Sequence, residues 1–153
     1  MIRKGRLLLL GLVAAGVFLS QGLISGAPAA KEPYKVGAIF AITGPAAWLG
    51  TPERNTAKMI EEQVNMGGGI NGHPLEVIIE DTVGDATKTV TAAKKLITKD
   101  KVLAIVGPSR SGTTMAVIPI AEEAKVPLVS CAAAESIVVP VKPWVFKTPP
   151  KGQ

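Results

Sequence analysis

Between Gly107 and Thr114 the chain reads Gly-Pro-Ser-Arg-Ser-Gly-Thr-Thr, which crowds the hydroxyls of Ser109, Ser111, Thr113 and Thr114 and the cation of Arg110 around Gly112. The apolar run Val102 to Val106 precedes this group and a helical pattern follows it, so these residues stand where a strand gives way to a helix. The first N–H groups of a helix have no intrahelical partner and carry the positive end of its dipole. With hydroxyls beside them they suit a small organic anion, most simply a carboxylate, held by neutral donors.

Phosphate is the competing anion, and two glycine patterns invite it. Gly107-x-x-x-x-Gly112-Thr113-Thr114 has P-loop spacing, but Thr113 occupies the place of the lysine that neutralises the phosphates. Gly67-x-Gly69-x-x-Gly72 matches a dinucleotide fingerprint as a string, yet it follows a helical pattern and precedes a strand, the reverse of the required order. It reads as a helix stop and turn. Catalysis finds no group to carry it. Cys131 and His73 are the sole residues of their kinds, His73 lies in a turn between Gly72 and Pro74, and Cys131 reads as a packed thiol among small residues. With no acid–base pair, no nucleophile elbow and no metal-ligand set, the chain reads as a binding protein, not an enzyme, with no cofactor.

At 153 residues and 47% apolar, the chain is long enough for one ordinary core. Its net charge of +5 is misleading, because Arg3, Lys4 and Arg6 lie at the start and from Ala30 onward 14 Lys and Arg face 12 Asp and Glu. A balance of +2 gives no case for nucleic acid as a partner. The early cations precede an uncharged run from Leu7 to Ala30, and Ala27-Pro28-Ala29 supplies small residues for cleavage. Residues 1–29 therefore read as a signal peptide that sends the protein to the periplasm. A retained membrane anchor facing the same compartment is the alternative, opposed by Ser20, Gln21, Gly22 and Ser25 and by the lack of a basic cluster after the run.

Four apolar strands are expected, at Tyr34 to Ile42, Leu75 to Ile79, Val102 to Val106 and Val126 to Ser130. The first helix is expected to start with Thr51 as N-cap and Pro52 at its first position, to carry Ala57, Ile60 and Val64 inward, and to stop at Gly67. Asp85 caps a second helix with the core stripe Ala86, Val90, Ala93 and Ile97, leaving Lys88, Lys95 and Lys99 solvated. A third runs from Ser111 to about Lys125 with Met115, Ile118 and Ala121 inward, and Pro119 should kink it. Strands alternating with helices predict an α/β sandwich with a mostly parallel sheet and helices on both faces. Ligands bind such sheets beyond the carboxyl ends of the strands, where the loops carrying Trp48, Ser111 and Ala132 to Ala134 should converge.

The order Val36-Gly37-x-Ile39, Thr43-Gly44-Pro45-Ala46-Ala47-x-Leu49-Gly50, Asn65-x-x-Gly68-Gly69-Ile70-Asn71-Gly72, Glu80-Asp81, Val106-Gly107-Pro108, Ser111-Gly112, Val126-Pro127-Leu128-Val129-Ser130 and Val145-Phe146-Lys147-Thr148 is specific as a set. Over nearly all of Tyr34 to Pro150 it resembles the branched-chain amino-acid-binding (leucine-binding) class of periplasmic substrate-binding proteins of ABC transporters. The resemblance implies a two-lobed clamshell of type I, each lobe a three-layer α/β sandwich with flavodoxin-like strand order, enclosing a small-molecule ligand for delivery to a permease. Residues 30–153 match only the N-terminal lobe, so a truncation before the second lobe is expected. By position, Ser111 matches the residue whose hydroxyl and N–H grip the ligand carboxylate, with Gly112 and Thr113 on the same turn, and Trp48 matches an aromatic covering the ligand side chain. Ala132 and Ala134 match the loop that meets the ligand's amino group and carboxylate, but the amino-acid binders carry a hydroxyl residue at the place of Ala134. The implied function is capture of a branched-chain amino acid or a related small carboxylate for an ABC importer. The same clamshell also serves as the outer sensing domain of membrane receptors, which is the alternative.

Overall fold

The structure, a computed structural model, describes residues 31–150. The segment read as a signal peptide lies outside the described residues. Five strands, β1 (Tyr34–Phe40), β2 (Leu75–Asp81), β3 (Ala104–Val106), β4 (Leu128–Ser130) and β5 (Val145–Lys147), form one parallel sheet in the order β2-β1-β3-β4-β5. Three helices, α1 (Ala47–Met66), α2 (Ala86–Lys95) and α3 (Ser111–Ala124), connect the first four strands. This is the expected α/β architecture in the flavodoxin-like order. The fifth strand follows Pro140 and Pro143, where proline ends regular structure and the chain re-enters the sheet beyond it.

The sheet register explains the core. Gly37 pairs with Ile105, Ile105 with Leu128, and Leu128 with Val145, so Ile39, Ile105, Leu128 and Val145 share one face. That face is buried together with Ala92, Ala93 and Leu96 and with Val117 and Ala121 of α3. The opposite face carries Val36, Ala38 and Phe40, which meet α1. There α1 packs on β1 and β2, and beyond it Phe146 of β5, on the same face, is exposed.

Several boundaries depart from the sequence-based expectation, each for a packing reason. Helix α1 starts at Ala47, so Thr51 is no cap; its hydroxyl donates to the Ile42 carbonyl at 3.2 Å, and Pro52 lies inside the helix. The early start is possible because Gly50 lets the helix backbone press on the end of β1, where a Cβ would stand 2.3 Å from the carbonyl oxygen of Ala41. Ile60 is exposed, and Ala57 and Val64 are half-buried.

Asp85 caps α2 as expected, its carboxylate accepting from the Lys88 N–H at 2.8 Å. The buried face of α2, however, is Thr89, Ala92 and Ala93, followed by Leu96, while Ala86 is exposed. The Thr89 hydroxyl donates to the Asp85 carbonyl, so a residue that patterning counts as polar is satisfied within its own helix and can be buried. In α3 the same device buries Thr114, whose hydroxyl donates to the Arg110 carbonyl at 2.9 Å, and Met115 is exposed. Strand β3 is shorter than the apolar run, because Leu103 is exposed at its start.

Candidate functional site

The strand order reverses between β1 and β3, and the loops leaving their carboxyl ends flank a crevice. The Val106 to Ser111 connection is pinned into that crevice from below. Gly107 has φ +94° and lies so close to β1 that a Cβ would stand 2.2 Å from the Ile39 carbonyl oxygen. Buried Ser109 accepts the Ala41 N–H at 3.1 Å and donates to the Glu53 carboxylate of α1. Its hydroxyl is therefore structural and not available to a ligand.

Glu53 sits beside the thiol of Cys131 in a mainly apolar recess of about 490 Å³ walled by Val36, Ala38, Phe40, Ala57 and Val77. Burial raises the pKa of Glu53, and the Ser109 hydroxyl opposes that shift by less. Burial and the neighbouring Glu53 charge push the Cys131 thiol up to about 11, which leaves it protonated and inert at neutral pH. The recess offers an anion no cluster of donors. It is the space between α1 and the sheet, distinct from the strand-end site.

At the strand ends, Arg110 occupies the N-cap position of α3 and Ser111 its first turn, with no acidic residue in that turn. Helix geometry leaves the N–H groups of Ser111, Gly112 and Thr113 without intrahelical partners. Nothing stands within 4 Å of where a Cβ on Gly112 would be, so the turn is open to a ligand. Thr113 is buried with its hydroxyl committed to the Arg110 carbonyl at 2.9 Å; what it can present is its N–H.

The loop after β4 is stitched to α3. Thr114 directs its single hydroxyl hydrogen to the Arg110 carbonyl, so Ser130 donates across the 2.9 Å contact between their hydroxyls and itself accepts the Ala132 N–H at 3.1 Å. One turn outward, Ser111 Oγ accepts the Ala134 N–H at 3.3 Å. Ala132 is buried beneath this contact and Ala134 is half-buried. Lys147, at the end of β5, donates from Nζ to the Ala133 carbonyl at 2.7 Å.

On the opposite wall Trp48 lies in the first turn of α1, 74% exposed, not in a loop as expected. With Pro45, Ala46, Leu49 and Arg110 it lines a cleft of about 190 Å³. The Arg110 guanidinium reaches the Gly84 carbonyl at 3.4 Å and forms no ion pair among the described residues. Asp81 braces the β1 loop, its carboxylate accepting from the Thr43 hydroxyl and from the N–H groups of Ile42, Thr43 and Val83. Burial works to raise its pKa, but these hydrogen bonds together outweigh burial and hold it below the ordinary value.

Ser111 and Ala134 are thus in contact, Ala132 is tied into the same loop through Ser130, and Trp48 and Arg110 share a neighbouring cleft. Glu53 and Lys147 escaped the sequence reading. Glu53 sits in no motif, and Lys147, though it stands in the block Val145-Phe146-Lys147-Thr148, is brought to the loop that follows β4 only by the sheet order β3-β4-β5. Among the described residues no three His, Cys, Asp or Glu side chains group to hold a metal.

A family model described as "Periplasmic binding protein" matches residues 33–151. The leucine-, isoleucine-, valine-, threonine- and alanine-binding protein of Pseudomonas aeruginosa is 34% identical over 104 residues, covering 68% of this chain and 28% of that protein. The substrate-binding protein LivJ of the branched-chain amino acid transporter of Streptococcus pneumoniae, solved with isoleucine, superposes with a TM-score of 0.72 at 32% identity, over 76% of this chain and 33% of that one. An ABC-transporter solute-binding protein of Rhodopseudomonas palustris, solved with 3,4-dihydroxybenzoic acid, gives a TM-score of 0.68 at 32% identity, over 76% and 32%. The chain spans about a quarter to a third of the length of the relatives it matches.

Proposed function

This chain belongs to the periplasmic binding protein family, and on that premise we propose that it is the ligand-capturing N-terminal lobe of an extracytoplasmic solute-binding protein serving an ABC importer. The ligand is an amino acid of the branched-chain type or a related small carboxylate. The observation that carries this reading is the open first turn of α3, where Ser111 and the free N–H groups face the crevice end of the sheet beside Trp48 and Arg110. In that reading the Ser111 hydroxyl and the N–H groups of Ser111, Gly112 and Thr113 take the carboxylate. Trp48 covers the side chain, and the loop of Ala132 and Ala134 forms the third wall.

Binding without chemistry suits the surroundings of the site. Its hydroxyls serve as hydrogen-bond partners of backbone groups, and the neighbouring thiol is held protonated. A second lobe would close over the ligand and dock on a membrane permease. With the cleft open on one side, this chain alone should bind weakly, because affinity in such sites depends on enclosure.

Cell fractionation with N-terminal sequencing tests the extracytoplasmic role. The expected product is a periplasmic species beginning near Ala30. A full-length species kept in the membrane would favour instead the outer sensing domain of an anchored receptor.

A further inference from the structure

We propose that the outer groove between α2 and α3 is a surface on which a second copy of this chain docks about a two-fold axis. The inference goes beyond the solute-binding reading and does not rest on it. Both helices are crossovers in a parallel sheet, so both run against the strands and lie side by side in parallel, over the face that buries Ala92, Ala93 and Leu96 with Val117 and Ala121. Between their outer sides runs a groove of about 480 Å³, walled by Lys94, Ile97 and Thr98 on α2 and its π-helical extension Leu96–Asp100, and by Ile120, Glu123 and Ala124 on α3. Ile97 and Ile120 are only half-buried there.

The α2 wall reads as polar, yet it costs little to dry. Thr91 and Thr98 donate their hydroxyls to the Thr87 and Lys94 carbonyls at 2.9 and 2.7 Å, so neither has to find a new partner when water leaves. That leaves one charge of each sign in the groove. Lys94 and Glu123 are exposed on opposite walls, and neither forms an ion pair among the described residues. The neighbouring charges point elsewhere. Lys88 and Lys95, seven residues apart, share the other flank of α2, where Lys95 binds Glu80 and Asp100, and Glu122 accepts the Trp144 N–H at 3.1 Å.

A two-fold axis parallel to the helices keeps every residue at its own height and lays α2 of one copy on α3 of the other. Lys94 of each copy then meets the partner's Glu123, and the contact is made twice, with Ile97 and Ile120 of both copies between the two pairs. The groove is formed by the carboxyl ends of the helices, which lie at the amino edge of the sheet, so the crevice at the opposite edge stays open. A 14-residue helix is about 21 Å long, and a face two helices wide offers on the order of 400 Å² per copy, about half of a standard interface. The dimer is therefore a weak one that forms at high concentration.

The test follows the full chain, purified as the cell processes it, by sedimentation equilibrium from about 10 µM to about 1 mM. Dimer should appear across this range and recede as sodium chloride is added, because exposed charge pairs are screened. Lys94→Glu and Glu123→Lys each turn two attractions into repulsions and should weaken the dimer at least about fivefold, while the double variant should return to within about twofold of the wild type. Melting temperatures of the variants separate loss of the dimer from loss of the fold. As a check independent of charge, oxidising an equimolar mixture of Lys94→Cys and Glu123→Cys chains should give mainly the mixed disulfide, and a mainly self-linked product would overturn the register. A chain still monomeric at about 1 mM, or a dimer indifferent to both swaps and so held by another face, such as that of exposed Phe146, would overturn the inference and leave the solute-binding reading standing.

Discussion

Ser111 Oγ accepts the backbone N–H of Ala134 at 3.3 Å, so the first turn of α3 and the loop after β4 meet at one hydroxyl. That hydroxyl still has its hydrogen to give, and in the proposed site it gives it to the ligand carboxylate. A hydrogen bond to a charged group contributes about 1.5–3 kcal/mol, so Ser111→Ala should weaken carboxylate binding by about one to two orders of magnitude in an NMR or calorimetric titration. Thermal stability should change little, because the half-buried Ala134 N–H can turn to water, and amide exchange at Ala134 should quicken. A larger loss for Arg110→Ala than for Ser111→Ala would mean that ion pairing captures the ligand.

Glu53 should make the fold less stable as the solution becomes more alkaline. Its pKa is raised in the folded state, chiefly by burial, so the folded chain holds this proton longer than the unfolded chain does. Stability tied to the protonated form is complete below the ordinary value of 4.5 and is lost as pH rises through the folded value. Glu53→Gln keeps an acceptor for Ser109 and removes the charge. It should raise the melting temperature at about pH 8 and leave it nearly unchanged at about pH 4. An equal shift at both values would show that the carboxylate is not the cause.

Gly107 and Gly112 should respond oppositely to alanine. At Gly107 a Cβ would meet the Ile39 carbonyl oxygen at 2.2 Å on a backbone of φ +94°. A left-handed backbone alone costs a residue with a side chain about 1–3 kcal/mol, and the clash adds to it. Gly107→Ala should therefore move the urea midpoint well below that of the wild type, or abolish cooperative unfolding. Gly112→Ala meets nothing within 4 Å and replaces a glycine inside a helix, so it should be neutral or stabilising by up to about 1 kcal/mol. A comparable loss at both positions would refute the close approach of β3 to β1.

How much of this was legible beforehand differs by element. The alternation of apolar runs with helical patterns was enough for the α/β class, and the glycine run at 67–69 stopped α1 as it should, with the chain closing back from Gly69 N–H to the Val64 carbonyl at 2.9 Å. Asp85 as a cap was equally readable, because capping depends on one side chain and the three residues after it. Thr51 and Pro52 misled for the converse reason. Their local signal for a helix start was overridden by the contact of Gly50 with Ala41, and sequence spacing carries no trace of that contact. Thr89 and Thr114 misled in a second way, since whether a threonine is polar or buried depends on whether its hydroxyl finds a carbonyl within its own helix.

The sequence by itself determined the class of the sheet, the helix that begins at Ser111 and the lack of a lysine in its phosphate-like loop, because each follows from neighbours in the chain. Only the tertiary structure decided that Ser109 is braced by Glu53, that Ser111 touches Ala134, and that Lys147 occupies the Ala133 carbonyl. These partners lie on different elements, and they meet because a parallel sheet in the order β2-β1-β3-β4-β5 gathers the carboxyl ends of its strands at one edge. A hydroxyl or a lysine in the sequence is only a potential donor, and the groups that the fold places within hydrogen-bonding reach decide whether it holds the scaffold or is left for a ligand.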